Sequence, residues 1–141
     1  MRSPNRQDSL FGIMLLTMPG TQLSRVDARR LAGAASWPAG ISWRSGADAM
    51  SAALVPLGPD FAWSGHGVRV SGGRMFGGPI KKEHVGSSAG SLLHCILHMC
   101  EGKAVRFLGT ISRLANEFLR MRPPGMTGED LRLHGDPGTF F

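Results

Sequence analysis

Apolar positions recur at helical spacing most regularly in the last third of the chain. From residue 103 to residue 121 they fall at Ala104, Phe107, Leu108, Ile111, Leu114, Ala115, Phe118 and Met121. Steps of three and four residues gather them on one face of a helix. The pattern predicts a helix from Lys103 to Met121, with Phe107, Leu108, Ile111, Leu114 and Phe118 as its buried seam. It must stop before Pro123-Pro124-Gly125, because a residue preceding proline is pushed out of the α region.

The other predicted elements are shorter. Asp8 or Ser9 is placed to cap a helix through the apolar run Leu10–Met18, which Pro19-Gly20 ends. Ser24 and Asp27 have capping-box spacing and start a helix from about Val26 to Ala35. Residues 46–55 read as a helix stopped by Pro56. Ser87 and Ser88 are placed to cap a helix from Ala89 to Glu101, and Gly102 suits its end. Between Gly67 and Phe76, Val-Arg-Val and Arg-Met-Phe flank Ser-Gly-Gly, which predicts one short hairpin. A lone hairpin is unstable in water, so it must pack on the helices.

The predicted fold is a mostly α small domain with one short β-hairpin and much irregular chain. The close alternative is α+β. Residues 1–122 form the domain and 123–141 a turn-rich tail, whose Phe140 and Phe141 are candidates to dock on the body. Trp37, Trp43 and Trp63 fall where the pattern is weakest. They read either as anchors of loops to a thin core or as an aromatic surface for a partner.

The run Leu10–Met18 follows Arg2 and Arg6 and is too short to span a bilayer. No small-x-small cleavage pattern follows it closely. Residues 1–36 are rich in Arg, Ser and Thr but also hold Asp8 and Asp27. A core or interface helix and an organelle or secretory targeting segment therefore both stay open.

Composition sharpens the functional question. The 141 residues include 20 Gly, twice average usage, so glycine interrupts the core. The formal net charge is +6. Most of the basic residues are Arg, whose forked guanidinium matches phosphate and carboxylate. A small basic chain is biased toward nucleic acid, an anionic membrane surface or an acidic protein. The two cysteines, Cys95 and Cys100, lie five apart in a predicted helix and point to different sides of it. They are not expected to bond to each other, which favours a reducing, intracellular setting.

Three constellations carry possible chemistry. Lys103, Arg106, Arg113 and Arg120 share the face opposite the apolar seam and make a basic stripe roughly 25 Å long. Arg25, Arg29 and Arg30 extend it if their helix lies alongside. Glu117 is spaced to pair with Arg113 and Arg120. His94 and His98, four apart, have the spacing of two metal ligands on one helix face, with Glu101 three beyond. Cys95 stands where the general base of a zinc-protease helix would be. Ser88, in Gly86-Ser-Ser-Ala-Gly90 at a helix start, has the setting of an N-cap or of an activated nucleophile.

The reading that best fits is a non-enzymatic accessory or binding protein. Its Arg-rich helices would contact an anionic partner, RNA or a larger ribonucleoprotein or protein assembly. No cofactor motif is present, and none is expected. The alternatives are a small hydrolase using Ser88, a metal enzyme using His94 and His98, and a weakly selected reading frame without an evolved site.

Overall fold

The longest helix among the described residues, α7 (Ala104–Met121), lies against α1 (Arg6–Thr17), and this pair is the centre of the fold. The structure, a computed structural model, describes residues 6–37 and 42–121. The tail 123–141, with Phe140 and Phe141, lies outside them. So does most of the Trp37-Pro-Ala-Gly40 break.

Helix α1 begins at Arg6, before the expected caps at Asp8 and Ser9. Ile13, Met14, Leu15, Leu16 and Thr17 are all buried, so the apolar run is covered on every side. Its backbone comes close to α7 at Gly12. A Cβ there would sit 2.7 Å from the Ala115 carbonyl oxygen, so only glycine permits this approach.

Helix α2 (Arg25–Ala34) also packs against α7. Ser24 caps it by accepting the Asp27 amide at 3.1 Å, as the capping-box spacing predicts. Ala28, Leu31 and Ala32 form its buried stripe.

The helix expected over 46–55 is broken. It divides into α3 (Gly46–Ala49) and α4 (Ser51–Leu54), then a 3₁₀ turn at Val55–Leu57. Pro56 lacks an N–H and crowds the preceding turn, so the chain tightens there and does not extend the helix. A full capping box starts α3. Ser45 Oγ accepts the Asp48 amide at 3.3 Å, while Asp48 Oδ2 accepts the amides of Ser45 and Arg44.

The sheet has one strand more than the hairpin expected. Strands β1 (Ala62–Gly65), β2 (Val68–Ser71) and β3 (Arg74–Gly77) form an antiparallel meander in sequence order. Trp63 pairs with Val70, and Val70 with Met75. Val68, Val70 and Met75 face the core. On the opposite face Ser64, Arg69 and Phe76 lie in register across all three strands.

A four-residue helix, α5 (Lys82–Val85), and α6 (Leu92–Met99) complete the chain up to α7. A 3₁₀ turn at Glu101–Lys103 joins α6 to α7, so Lys103 precedes the long helix and is not part of it. The fold is mostly α, with a small three-stranded antiparallel sheet and irregular connections. Among the described residues no helix is long and apolar enough to cross a membrane.

The tryptophans anchor loops. Trp43 is buried, and its ring meets that of Trp37 at 5.8 Å. Trp63 donates its indole N–H to the Gly90 carbonyl at 3.0 Å, which fixes the loop before α6.

Candidate functional site

The predicted basic residues are all on the surface. Lys103, Arg106, Arg113 and Arg120, and Arg25, Arg29 and Arg30 of α2, are exposed. Helices α2 and α7 are neighbours, so the two groups of arginines belong to adjacent elements.

Glu117 joins them. Arg30 reaches across from α2 and donates to Glu117 Oε2 through both Nε (3.1 Å) and Nη2 (2.8 Å). Arg120 donates to the other carboxylate oxygen at 3.4 Å. The expected Arg113–Glu117 pair is not formed. Arg30 and Arg120 take the two carboxylate oxygens, and Arg113 instead donates to Thr110 Oγ1 at 3.2 Å. Glu117 is the less exposed member of the triad, with 15% of its side chain accessible against 48% for Arg30. Among the described residues, Arg25, Arg29, Lys103 and Arg106 take part in no ion pair.

The α7 seam is largely as predicted, with one correction. Phe107, Ile111, Leu114 and Phe118 are buried, but Leu108 is 38% exposed. Thr110 is buried in its stead. Leu108 instead stands at the rim of a groove. That groove, about 440 Å³, opens between α1, α5 and α7 and is lined by Leu10, Lys82, Val85, Leu108 and Ile111.

The cap of α6 differs from expectation. The helix starts at Leu92, and its N-cap is Ser91, not Ser87 or Ser88. Ser91 Oγ accepts the His94 amide at 3.0 Å and donates to the Gly86 carbonyl at 2.8 Å. Ser88 is exposed, and among the described residues no hydrogen bond joins its hydroxyl to a base.

His94 and His98 do share a face, with ring centroids 4.7 Å apart. His94 Nδ1 accepts the Gly90 amide at 3.3 Å, which commits one ring nitrogen to the loop. Among the described residues, no group of three His, Cys, Asp or Glu side chains could hold a metal ion. Cys95 and Cys100 are free thiols. Burial pushes the Cys95 thiol up, and the neighbouring Cys100 adds to this, so its thiolate is disfavoured.

Among the described residues the most enclosed titratable group is a histidine of the short helix α5. His84 of α5 is fully buried. Its Nδ1 accepts the Lys81 amide at 2.9 Å, and Nε2 lies 3.1 Å from the His66 carbonyl oxygen. The first bond requires an unprotonated Nδ1, so the ring proton sits on Nε2 and is donated to His66. The rings of Trp63 and His66 pack edge-on at 5.8 and 5.7 Å. Burial lowers the histidine's pKa below its ordinary 6.5. The arrangement reads as structural, because both nitrogens are spent on backbone groups.

Compared with known proteins, the chain matches no family model and no curated sequence.

Proposed function

We propose that the chain is a non-enzymatic basic binding protein whose α2 and α7 arginines contact RNA, as an accessory component of a larger assembly. The observation that carries this reading is the meeting of Arg30 and Arg120 on Glu117. It draws the arginines of two helices toward one surface, and among the described residues Arg106 and Arg113 have no acidic partner. Exposed guanidinium groups near one another raise the local positive potential, which attracts a phosphate backbone and steers its approach. The enzyme readings draw no comparable support. Ser88 has no hydrogen-bonded base, and His94 and His98 have no third ligand among the described residues.

Binding of this kind is largely electrostatic. On single-stranded RNA each neutralised phosphate adds about −0.7 to the slope of log affinity against log salt, so three or four contacts give roughly −2 to −3. The test is a fluorescence-anisotropy titration of labelled single-stranded RNA at several salt concentrations. Arg106→Glu and Arg113→Glu are expected to weaken binding to every sequence and to flatten the slope by about one contact each. Equal binding by wild type and both variants, or no binding even at low salt, overturns the reading.

A further inference from the structure

We infer that the outward face of the three-stranded sheet is a stacking platform for one base of a single-stranded nucleic acid. The inference rests on the RNA reading above but concerns a different surface.

Strand alternation puts Ala62 and Ser64 of β1, Arg69 and Ser71 of β2, and Arg74 and Phe76 of β3 on one face. None of the six is buried, whereas Val68, Val70 and Met75 on the other face are. Burial of one face is the ordinary state of an antiparallel sheet. The content of the open face is not ordinary. It carries an aromatic ring, 42% exposed, and two guanidinium groups, with no carboxylate among the six.

The ring and one guanidinium are already assembled. Arg69 pairs directly with Phe76 across the strands, and its Cζ lies 4.3 Å from the ring centroid. Arg69 is itself exposed, so the pair presents a planar cation and an aromatic ring together at the surface. Nucleobases stack on such planes and on aromatic rings, whatever their sequence. The cross-strand neighbour of Arg69 on the far side is Ser64, and Ala62 and Ser71 flank it. All three are small side chains, and none projects a bulky or acidic group beside the pair.

Arg74 supplies the second half of the recognition. It lies two positions from Phe76 on the same strand and face, about 6.6–6.8 Å away along the chain. It is exposed and has no ion pair among the described residues. A phosphate next to a stacked base falls within reach of its side chain, and the fork of donors suits a phosphate. The chemistry fitted is thus a base plus its phosphate, as a single-stranded nucleic acid presents them. An acidic protein segment would use the two arginines but gain little from Phe76.

The test compares a short labelled RNA with an abasic oligomer of the same length and charge. Wild type, Phe76→Ala, Phe76→Trp, Arg74→Glu and Arg113→Glu are titrated with both. Phe76 is exposed, so its variants are expected to keep the wild-type melting temperature. The wild type is expected to prefer RNA to the abasic chain. Phe76→Ala should weaken RNA binding by roughly 5-fold or more, the loss of one base stack, and leave abasic binding unchanged. Phe76→Trp should retain the preference, and Arg74→Glu should weaken binding to both oligomers.

If Phe76→Ala binds RNA as wild type does while Arg113→Glu is impaired, the platform is wrong and the helical reading stands. If Phe76→Ala is impaired and Arg113→Glu is not, the platform stands and the helical face is wrong. Equal wild-type affinity for RNA and the abasic chain overturns the platform, and no binding to either overturns both.

Discussion

Thr17 and Ile80, 63 positions apart, are joined by a buried hydrogen bond in which the Thr17 hydroxyl oxygen accepts the Ile80 N–H at 2.8 Å. The same hydroxyl donates to the Ile13 carbonyl at 2.6 Å. One side chain thus ends α1 and fastens the segment that leaves β3. Both residues are essentially inaccessible to water. Thr17→Val keeps the shape but strands the Ile80 N–H, so it should cost about 1–3 kcal/mol. Thr17→Ser keeps the hydroxyl and should cost less than Thr17→Val. Urea unfolding of the two variants measures the difference, and equal losses would show that the bond contributes nothing.

His84 makes stability depend on pH. Its folded-state pKa is lowered, first by burial and to a smaller extent by the neighbouring His66, whereas backbone hydrogen bonds partly oppose the shift. Its contribution is complete above the unfolded value of about 6.5. As pH falls below that value the unfolded histidine takes up a proton that the folded one resists, and stability declines until the folded pKa is reached. Protonation in the fold would also set an Nδ1–H against the Lys81 N–H. The charged groups nearest in sequence are Lys81, Lys82 and Glu83, which are exposed, and His66 faces the ring. The melting temperature should drop from about pH 7 to about pH 5, and the drop should be smaller in His84→Gln. His66→Gln should keep most of it. An unchanged profile in His84→Gln would assign the pH dependence to other groups.

Along α7, two adjacent residues should respond very differently to truncation. Phe107 is 1% exposed and Leu108 38%. Phe107→Ala removes a ring from the core and should cost about 3–5 kcal/mol. Leu108→Ala removes a side chain from the groove rim and should cost under about 1 kcal/mol, as surface changes do. Thermal or chemical unfolding of the two variants checks both values.

That contrast marks how far the chain's pattern reaches. The spacing from Ala104 to Met121 specifies α7 and most of its seam, because a helix makes its own hydrogen bonds and needs only one covered side. It does not say how wide the covered side is. Leu108 lies at the edge of the stripe and opens on a groove, while Thr110, a polar residue outside the apolar pattern, is buried. Strand β1 carries no such signal, for a related reason. Ala62-Trp-Ser-Gly65 has no β-branched residue, and it is a strand because β2 pairs with it. The cap of α6 is ambiguous in the sequence, since any of three nearby serines, Ser87, Ser88 and Ser91, suits a helix start. Ser91 prevails because its hydroxyl also finds the Gly86 carbonyl. Of the candidate residues, sequence spacing could foresee Arg120–Glu117, which lie three apart. Arg30–Glu117 lie 87 positions apart and meet only through the packing of two helices.

Glu117 is the acid in the middle of the basic face, and removing its charge separates stability from binding. Glu117→Gln keeps the size of the side chain and can still accept from Arg30, but it no longer neutralises Arg30 and Arg120. Both arginines are substantially exposed, at 48% and 67% of their side chains, so the ion pairs are screened by water. The loss of stability should therefore stay within about 1 kcal/mol. Binding should move the other way. With the carboxylate gone, the face is one unit more positive, and two guanidinium groups are freed to meet phosphate. Affinity for single-stranded RNA should rise at low salt, and the slope of log affinity against log salt should steepen by up to about 0.7 for each added contact. The gain should vanish in Glu117→Gln combined with Arg30→Ala and Arg120→Ala, if those two arginines deliver it. Anisotropy titrations over a salt series read both quantities on the same samples. Tighter binding with a steeper slope places the phosphate contacts around Glu117. Unchanged binding places any RNA contact elsewhere on the molecule and removes the observation on which the helical interface was proposed.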